Sequence, residues 1–310
     1  MMIQLVTVIA AFILPLTISA QCQKEWEKSD PKDKMAFYER EFSTETMDAL
    51  KKTTTVFFYR DLDSAEVSRF REAFSEAWNI TPIILDNGRN FEKYAGNPNY
   101  SYFTNGGYQL FGSVGRVSYS YTHNYLLLQI GGRNDNLYRI ELYPRITSTF
   151  GIDGTPEMSR IAFYGFYYFF NWNPISLKAH LLVAASSLAQ NKRPCLYEKV
   201  RDQNLAGLLA ADTLYVPKDV LNDFRGLGYK QNYVGDDLFK AYQFPYRLCT
   251  NDELYQIFQV EKRGRFLFEN VISETFKYIT IFDVKDKKVV YKTMVESSRE
   301  LRAKDLKKIK

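Results

Sequence analysis

Six polar residues stand at matching places in two halves of the chain. Each half has a basic residue and an aspartate at the end of one short apolar run, and an asparagine at the end of another. The six are Arg60, Asp61, Asn105, Lys218, Asp219 and Asn270. Because ligands of open α/β sheets bind outside the ends of such strands, we predict a ligand site between the halves. The alternative is that the aspartates cap helices and the basic side chains are solvated.

Asp61 and Asp219 also allow a catalytic hypothesis, because paired carboxylates perform acid and base catalysis in hydrolases. A hydrolase that uses these two carboxylates in the cleft between the halves is the alternative function. The chain has no Gly-x-Ser-x-Gly nucleophile elbow and no phosphate-binding glycine-rich loop with its lysine. The sequence leaves catalysis undecided and favours a non-enzymatic binding protein.

A transition-metal site is not expected. The chain has only two histidines, His123 and His180. Neither has a second histidine or a cysteine at ligand spacing, which such sites require. We predict neither a metal nor a cofactor.

The three cysteines are Cys22, Cys195 and Cys249. Outside the cytosol, thiols tend to pair. We predict the pair Cys195 and Cys249, because Cys22 lies close to the expected mature N-terminus. Three cysteines can form one disulfide in three ways, and the sequence does not choose among them.

The runs that position the six polar residues occur twice in the same order. Four later runs match in pairs: Pro82–Asp86 with Tyr246–Thr250, Tyr100–Asn105 with Arg265–Asn270, Tyr125–Ile130 with Tyr278–Asp283, and Leu137–Leu142 with Val289–Thr293. Before them, Tyr38 to Thr55 corresponds to Tyr197 to Thr213. We predict an internal duplication. The alternative is that two unrelated segments share a generic strand-helix-strand order.

The residue pattern of each half predicts a strand, a helix, a strand, a short helix and about three further strands. The clearest helix carries apolar residues at three- and four-residue spacing, namely Val67, Phe70, Phe74, Ala77 and Trp78. A strand-helix-strand crossover favours parallel neighbours, and a terminal hairpin adds antiparallel strands. We predict an α/β fold with mixed sheets, in which two pseudo-repeated strand-helix-strand-helix-hairpin units are joined by a central helix.

The chain is expected to divide into five parts. They are a signal peptide (1–20), a first α/β repeat (35–147), an aromatic segment with a connecting helix (148–193), a second α/β repeat (194–296) and a basic C-terminal tail (297–310). The connecting helix is predicted from Pro174 to Gln190, because proline after Asn173 suits a first helical turn. The aromatic run from Ile161 to Trp172 is either buried core or an exposed stacking surface.

The N-terminal residues predict export. Leu5 to Ile18 is almost wholly apolar, and Ser19-Ala20 follows it. This run is short for a membrane span and is typical of a secretory signal peptide cleaved after Ala20. We expect a periplasmic protein, with an extracellular one as the alternative. No later apolar run reaches membrane length, so the mature chain has no predicted transmembrane segment.

The composition indicates a packed globular protein. Hydrophobic residues make up 45%, charged residues 25% and aromatic residues 16%, and the net charge is +5. The one concentrated basic stretch is the tail from Arg299 to Lys310. The tail is either a solvated helix end or a peripheral contact with anionic membrane lipid. Nucleic acid is not an expected partner of an exported protein.

The leader ending in Ala20-Gln21, the tyrosine and phenylalanine richness and the Asn171–Pro174 stretch together resemble exported, periplasmic proteins of Bacteroidota that have no characterised function. The resemblance implies export and carries over no functional residue. Our leading hypothesis is a non-enzymatic periplasmic protein that binds a small ligand or an envelope partner.

Overall fold

A computed structural model describes residues 40–114, 117–133, 135–144, 168–196, 198–223, 232–233, 236–272, 276–296 and 300–310. For residues 107–114 and 117–123 the structure describes the backbone but not the side chains. The predicted signal peptide, Cys22 and the aromatic residues 161–167 also lie outside the described residues.

The first half contains β1 (Arg40–Glu41), α1 (Thr44–Lys51), β2 (Thr54–Tyr59), a 3₁₀ turn (Asp61–Glu66), α2 (Val67–Ala77), β3 (Ile83–Asn87), a 3₁₀ turn (Gly88–Lys93), β4 (Tyr100–Val114), β5 (Val117–Ile130) and β6 (Asn136–Leu142). Helix α2 has the predicted apolar stripe, since Phe70, Ala73, Phe74 and Ala77 are buried.

The second half follows helix α3 (Pro174–Ala189). Its elements are β7 (Lys192–Arg193), β8 (Val200–Arg201), α4 (Leu205–Ala211), β9 (Leu214–Pro217), a 3₁₀ turn (Lys218–Leu221), β10 (Asn222–Asp223), β11 (Asn232–Tyr233), a 3₁₀ turn (Asp236–Ala241), β12 (Tyr246–Cys249), α5 (Asn251–Tyr255), a π-helical turn (Gln256–Val260), β13 (Phe266–Ile272), β14 (Phe276–Asp283), β15 (Lys288–Glu296) and α6 (Ala303–Leu306).

The two main sheets have the same strand order. The first is β3-β2-β4-β5-β6, and the second is β12-β9-β13-β14-β15 with β8 added at its edge. In each sheet the second strand is parallel to both neighbours, whereas the last three strands are antiparallel. The α/β class with mixed sheets is therefore confirmed. The duplication stays a prediction, and the shared strand order supports it.

The two halves differ in the connection between their first two parallel strands. In the first half, α2 forms this crossover, as predicted. In the described part of the second crossover, two 3₁₀ turns and the short pair β10–β11 replace the helix. The second half therefore has no described counterpart of α2.

Helix α3 fills the space between the sheets. Twelve of its sixteen residues are buried, so the helix has no solvent-exposed face of normal width. The Asn173 side chain accepts hydrogen bonds from the amides of Ile175 and Ser176, which fixes the first turn. One hydrophobic core joins α2 and α3 to Leu254 of α5 and Phe282 of β14. The two halves thus share their interior.

The described end of the aromatic segment is mostly buried: Phe169 and Trp172 belong to the shared core, and Phe170 packs in a separate cluster with Tyr143 and Tyr278. Phe169, Phe170 and Trp172 are buried, and only Tyr168 is substantially exposed, at 46%. For these residues, the core interpretation is the one that the structure favours.

The C-terminal tail packs on the outer face of the second sheet. Leu301, Leu306 and Ile309 are buried there, next to Ile279 and Ile281 of β14. The Lys277 Nζ atom donates to the Asp305 carboxylate at 2.6 Å, and both side chains are almost completely buried. The end of the chain is therefore an integral part of the second half, although its lysines remain exposed.

Among the described residues, no helix is long and apolar enough to cross a membrane.

Candidate functional site

Arg60 and Asp61 have separate local partners at the end of β2. Arg60 is buried and donates to both carboxylate oxygens of Asp63, at 3.0 and 2.6 Å, with its guanidinium 4.7 Å from the Trp172 ring centroid. Asp61 accepts from Asn87 at 2.9 Å and from Arg89 at 2.8 Å. These two donors hold the pKa of Asp61 below its usual range.

The corresponding residues of the second half are also held locally. Asp219 accepts from the Asn251 side chain at 2.9 Å. Asn270 is buried and donates to the Val220 carbonyl at 3.2 Å. Lys218 is exposed, in the turn after β9.

Asn105 lies in β4 opposite Leu126 and is half-buried. Asp61 and Asp219 occupy equivalent places. Asp61 accepts from the side-chain amide of Asn87, at the end of β3, and Asp219 accepts from that of Asn251, which follows β12. No hydrogen bond or ion pair among the described residues joins Asp61 to Asp219. The predicted ligand site at the six residues remains a prediction, and their contacts suit structural roles.

The predicted disulfide between Cys195 and Cys249 is wrong. Cys195 is disulfide-bonded, whereas Cys249 is a buried free thiol. The two sulfurs belong to different clusters, because Cys249 faces the central core and Cys195 packs with Leu127 and Met294. Burial also raises the pKa of Cys249 to about 11, so this thiol stays protonated at neutral pH.

A row of polar side chains crosses the inner face of the second sheet. Glu269 of β13 is paired with Thr280 of β14, and Thr280 is paired with Lys292 of β15. Directly paired residues project from the same face of a sheet. Because Leu267 and Phe282 of these strands face the central core, the row points toward the first half.

Glu269 anchors this row to the rest of the molecule. The His180 Nε2 atom lies 3.0 and 2.9 Å from the two carboxylate oxygens. The Asn171 side chain donates to Glu269 at 3.1 Å and to the Glu141 carbonyl of β6 at 2.9 Å. The same Asn171 side chain accepts from the Tyr143 amide at 2.8 Å. Helix α3 and both sheets therefore meet at this carboxylate.

Lys292, at the other end of the row, lines a small pocket with a volume of about 40 Å³, room for about three water molecules. We call it the Lys292 pocket. Its described lining residues are Tyr138, Arg139, Arg193, Pro194, Cys195, Leu196 and Lys292. Three of these seven are cationic and none is acidic.

The two arginines of the pocket are fixed by neighbouring groups. Arg139 forms an ion pair with Glu141 two residues away on β6, and its guanidinium lies 3.7 Å from the centroid of the Tyr125 ring. Arg193 is buried and donates to the Asn136 carbonyl at 2.6 Å. Fixed guanidinium groups bind carboxylate or phosphate with little loss of conformational entropy.

Lys292 has an unusual electrostatic environment. Its Nζ atom donates to the Cys195 carbonyl at 3.3 Å. Burial lowers the pKa of Lys292 to about 8, although Glu198, Glu141 and Glu269 act in the opposite direction. Burial also raises the pKa of Tyr138 above its usual range, aided by the nearby Glu269 carboxylate, so that this side chain is a neutral phenol.

The Lys292 pocket can bind a small anion, and it contains an amine that is partly neutral near pH 8. Perturbed titratable groups in a cleft are characteristic of functional sites. Sequence reasoning missed the pocket because its residues come from β6, β7, the following loop and β15. The sequence signal for the pocket was weak. It consisted of Lys292, a charged residue in the middle of the apolar pattern of β15.

The described residues include no cluster of three histidine, cysteine, aspartate or glutamate side chains suited to a metal ion. No protein-family model, curated protein or solved structure matches this chain.

Proposed function

We propose that this protein is an exported, non-enzymatic periplasmic binding protein and that the Lys292 pocket binds the carboxylate or phosphate group of a small ligand. One observation carries the proposal: Arg139, Arg193 and Lys292 converge on a single pocket with no acidic lining residue among those described. The alternative is that these three cations only stabilise the fold through their contacts with neighbouring groups. The binding hypothesis accounts for the open space next to the three cations.

The size of the pocket limits the ligand. A volume of about 40 Å³ suits one anionic group and not a whole nucleotide or cofactor. The best small ligands gain about 1.5 kcal/mol per non-hydrogen atom, so free phosphate should bind no more tightly than about micromolar. Contacts of a larger ligand outside the pocket would add affinity.

The disulfide at Cys195 supports export. Disulfides persist in oxidising compartments such as the periplasm and are rare in the cytosol. This agrees with the signal peptide that the N-terminal sequence predicts. The ligand in this proposal is a small molecule present in the periplasm, and the envelope partner that the sequence also allows stays a prediction.

The tail supports a second contact, with an anionic membrane surface. Arg302, Lys304, Lys307, Lys308 and Lys310 are exposed. Lys304, Lys307 and Lys308 follow helical spacing and lie on the side opposite the buried Leu306 and Ile309.

Each such cation contributes about 1 kcal/mol near an anionic bilayer. Since the apolar residues of the tail are buried in the protein, the association should be electrostatic and lost at high salt. Sedimentation with anionic vesicles tests this contact. No binding at low ionic strength, or binding that persists in 1 M salt, would contradict it.

Anion binding is tested by titration calorimetry with phosphate and sulfate. The Arg193→Gln and Lys292→Met variants should each weaken binding about tenfold, whereas Arg89→Gln is the matched control on the surface. Arg89 is 64% exposed and pairs with Asp61, in a different part of the fold. Equal affinity in all four proteins would refute the proposed site.

A further inference from the structure

We propose that Lys292 forms a reversible imine with small anionic carbonyl compounds, such as 2-oxo acids, whose carboxylate is held by Arg139 and Arg193. This inference rests on the proposed binding of anions in the Lys292 pocket. It adds a covalent step and a more definite ligand class, a carboxylate next to an aldehyde or ketone.

Comparison with two buried lysines, Lys178 and Lys277, distinguishes Lys292, which is half-buried. Lys178 donates to Glu76 at 2.8 Å and to Gln259 at 2.6 Å. Lys277 donates to Asp305 at 2.6 Å. Lys292 has the Cys195 carbonyl as its hydrogen-bond acceptor, at 3.3 Å, near the upper limit for such a bond. Its amine is therefore held less firmly than the other two.

The carboxylates around Lys292 have other partners or lie outside the pocket. Glu141 of β6 is paired with Arg139, and Glu269 of β13 contacts His180 and Asn171. Glu198 is exposed in the loop before β8. Arg139 and Arg193 face the same pocket as Lys292. Burial outweighs these three carboxylates and lowers the pKa of Lys292 to about 8, so that a minor fraction of the amine is neutral at pH 7.5.

A neutral amine next to two fixed guanidinium groups suits attack on a carbonyl carbon. The nitrogen lone pair forms the C–N bond, and the carbonyl π pair moves to oxygen, which takes a proton from water. The resulting carbinolamine then loses water, and the nitrogen loses its protons to solvent. The balance is one amine plus one carbonyl giving one imine plus one water, with no oxidation or reduction.

Reductive trapping tests the inference. The full-length protein is incubated with glyoxylate and cyanoborohydride near pH 7.5, and the adducts are located by peptide mass spectrometry. Acetaldehyde serves as a neutral aldehyde of similar size. We expect glyoxylate to modify Lys292 at least tenfold faster than exposed Lys285, and phosphate to slow this reaction at Lys292 only.

Acetaldehyde, the neutral probe, distinguishes recognition of the carboxylate by the pocket from the intrinsic reactivity of the Lys292 amine. If acetaldehyde shows the same preference for Lys292, the carboxylate has no role and the inference is overturned. Arg193→Gln should remove the preference for glyoxylate, and Lys288→Arg, on the same strand, should preserve it. If Arg193→Gln fails to fold, competition by phosphate in the unmodified protein still decides the matter.

Failure of the imine can be distinguished from failure of anion binding. If calorimetry detects binding of phosphate or glyoxylate but no adduct forms at Lys292, the pocket binds anions and the covalent step is refuted. If neither binding nor an adduct is found, both proposals fail.

Discussion

The His180 imidazole and the Glu269 carboxylate meet at 2.9 Å, which joins the central helix α3 to the inner face of the second sheet. This contact lies in the same polar row as Lys292, two strands away. The row therefore begins at a contact between the central helix and the second sheet, and its other end borders the Lys292 pocket.

Replacing Asn171 should weaken the connection between the sheets. Asn171→Leu would leave the Tyr143 amide, the Glu141 carbonyl and one Glu269 oxygen without this partner in a buried place. Since each lost partner costs about 1–3 kcal/mol, we expect the free energy of unfolding in urea to fall by about 3 kcal/mol. Asn99→Leu, at an exposed position, should change it by less than about 0.5 kcal/mol. A similar small change for both variants would contradict the connecting role.

Removing the Lys292 amine should stabilise the protein near neutral pH. The pKa of Lys292 in the folded protein, about 8, lies below the ordinary value of 10.5. Between these values the unfolded chain binds more protons, so the penalty for charged Lys292 is complete below pH 8 and disappears toward pH 10.5. Lys292→Met should therefore raise the free energy of unfolding at pH 7 by about 2 kcal/mol, and by less at pH 10.

The exposed Lys288 of the same strand is the control for this pH dependence. It pairs with Asp202, which raises its pKa. Lys288→Met should change stability only slightly and should not reproduce the decline between pH 8 and 10. Urea titrations at several pH values measure both variants. A Lys292→Met effect that does not depend on pH would show that the amine is not desolvated.

The cysteines should differ in reactivity. In the native protein, the Cys249 thiol should resist iodoacetamide at pH 7.5, because it is buried and its pKa is raised to about 11. It should react at once in urea. Cys195 should be alkylated only after reduction, since it is disulfide-bonded. Peptide mapping that finds Cys195 and Cys249 joined to each other would contradict the structure.

The buried ion pair should hold the C-terminal tail in place. Asp305→Asn leaves the Lys277 ammonium buried without its counter-charge and should destabilise the protein by about 3 kcal/mol. The double variant Lys277→Met with Asp305→Leu removes both charges and should recover most of the loss. Thermal unfolding compares the three proteins. Equal losses for the single and double variants would mean that the tail is held by its apolar residues alone.

The strands and the central helix could be predicted because local patterns determine them. The matched apolar runs became corresponding strands of the two sheets, and Asn173-Pro174 marked the first turn of α3. Helix α2 followed from its spacing of apolar residues. In each case, the relevant physical interaction lies within a few residues of sequence or in one periodic face.

The Lys292 pocket and the state of the cysteines could not be predicted in this way. Arg139, Arg193 and Lys292 are far apart in the sequence, and only the packing of two sheets around α3 brings them together. The choice of disulfide partner depends on which face of β12 carries Cys249, and that face turned out to be the core side. In the tail, the many lysines made the sequence look uniformly basic. The apolar residues between them, Leu301, Leu306 and Ile309, are the ones that pack against the second sheet.

Titration of the protein with sulfate tests the central claim most directly, because sulfate keeps its charge across the pH range in which Lys292 titrates. We expect one site whose affinity falls as the pH rises above about 8, and a loss of affinity of about tenfold in Arg193→Gln but not in Arg89→Gln. No saturable binding at millimolar sulfate, or binding that neither Arg193→Gln nor pH alters, would contradict an anion site at Lys292.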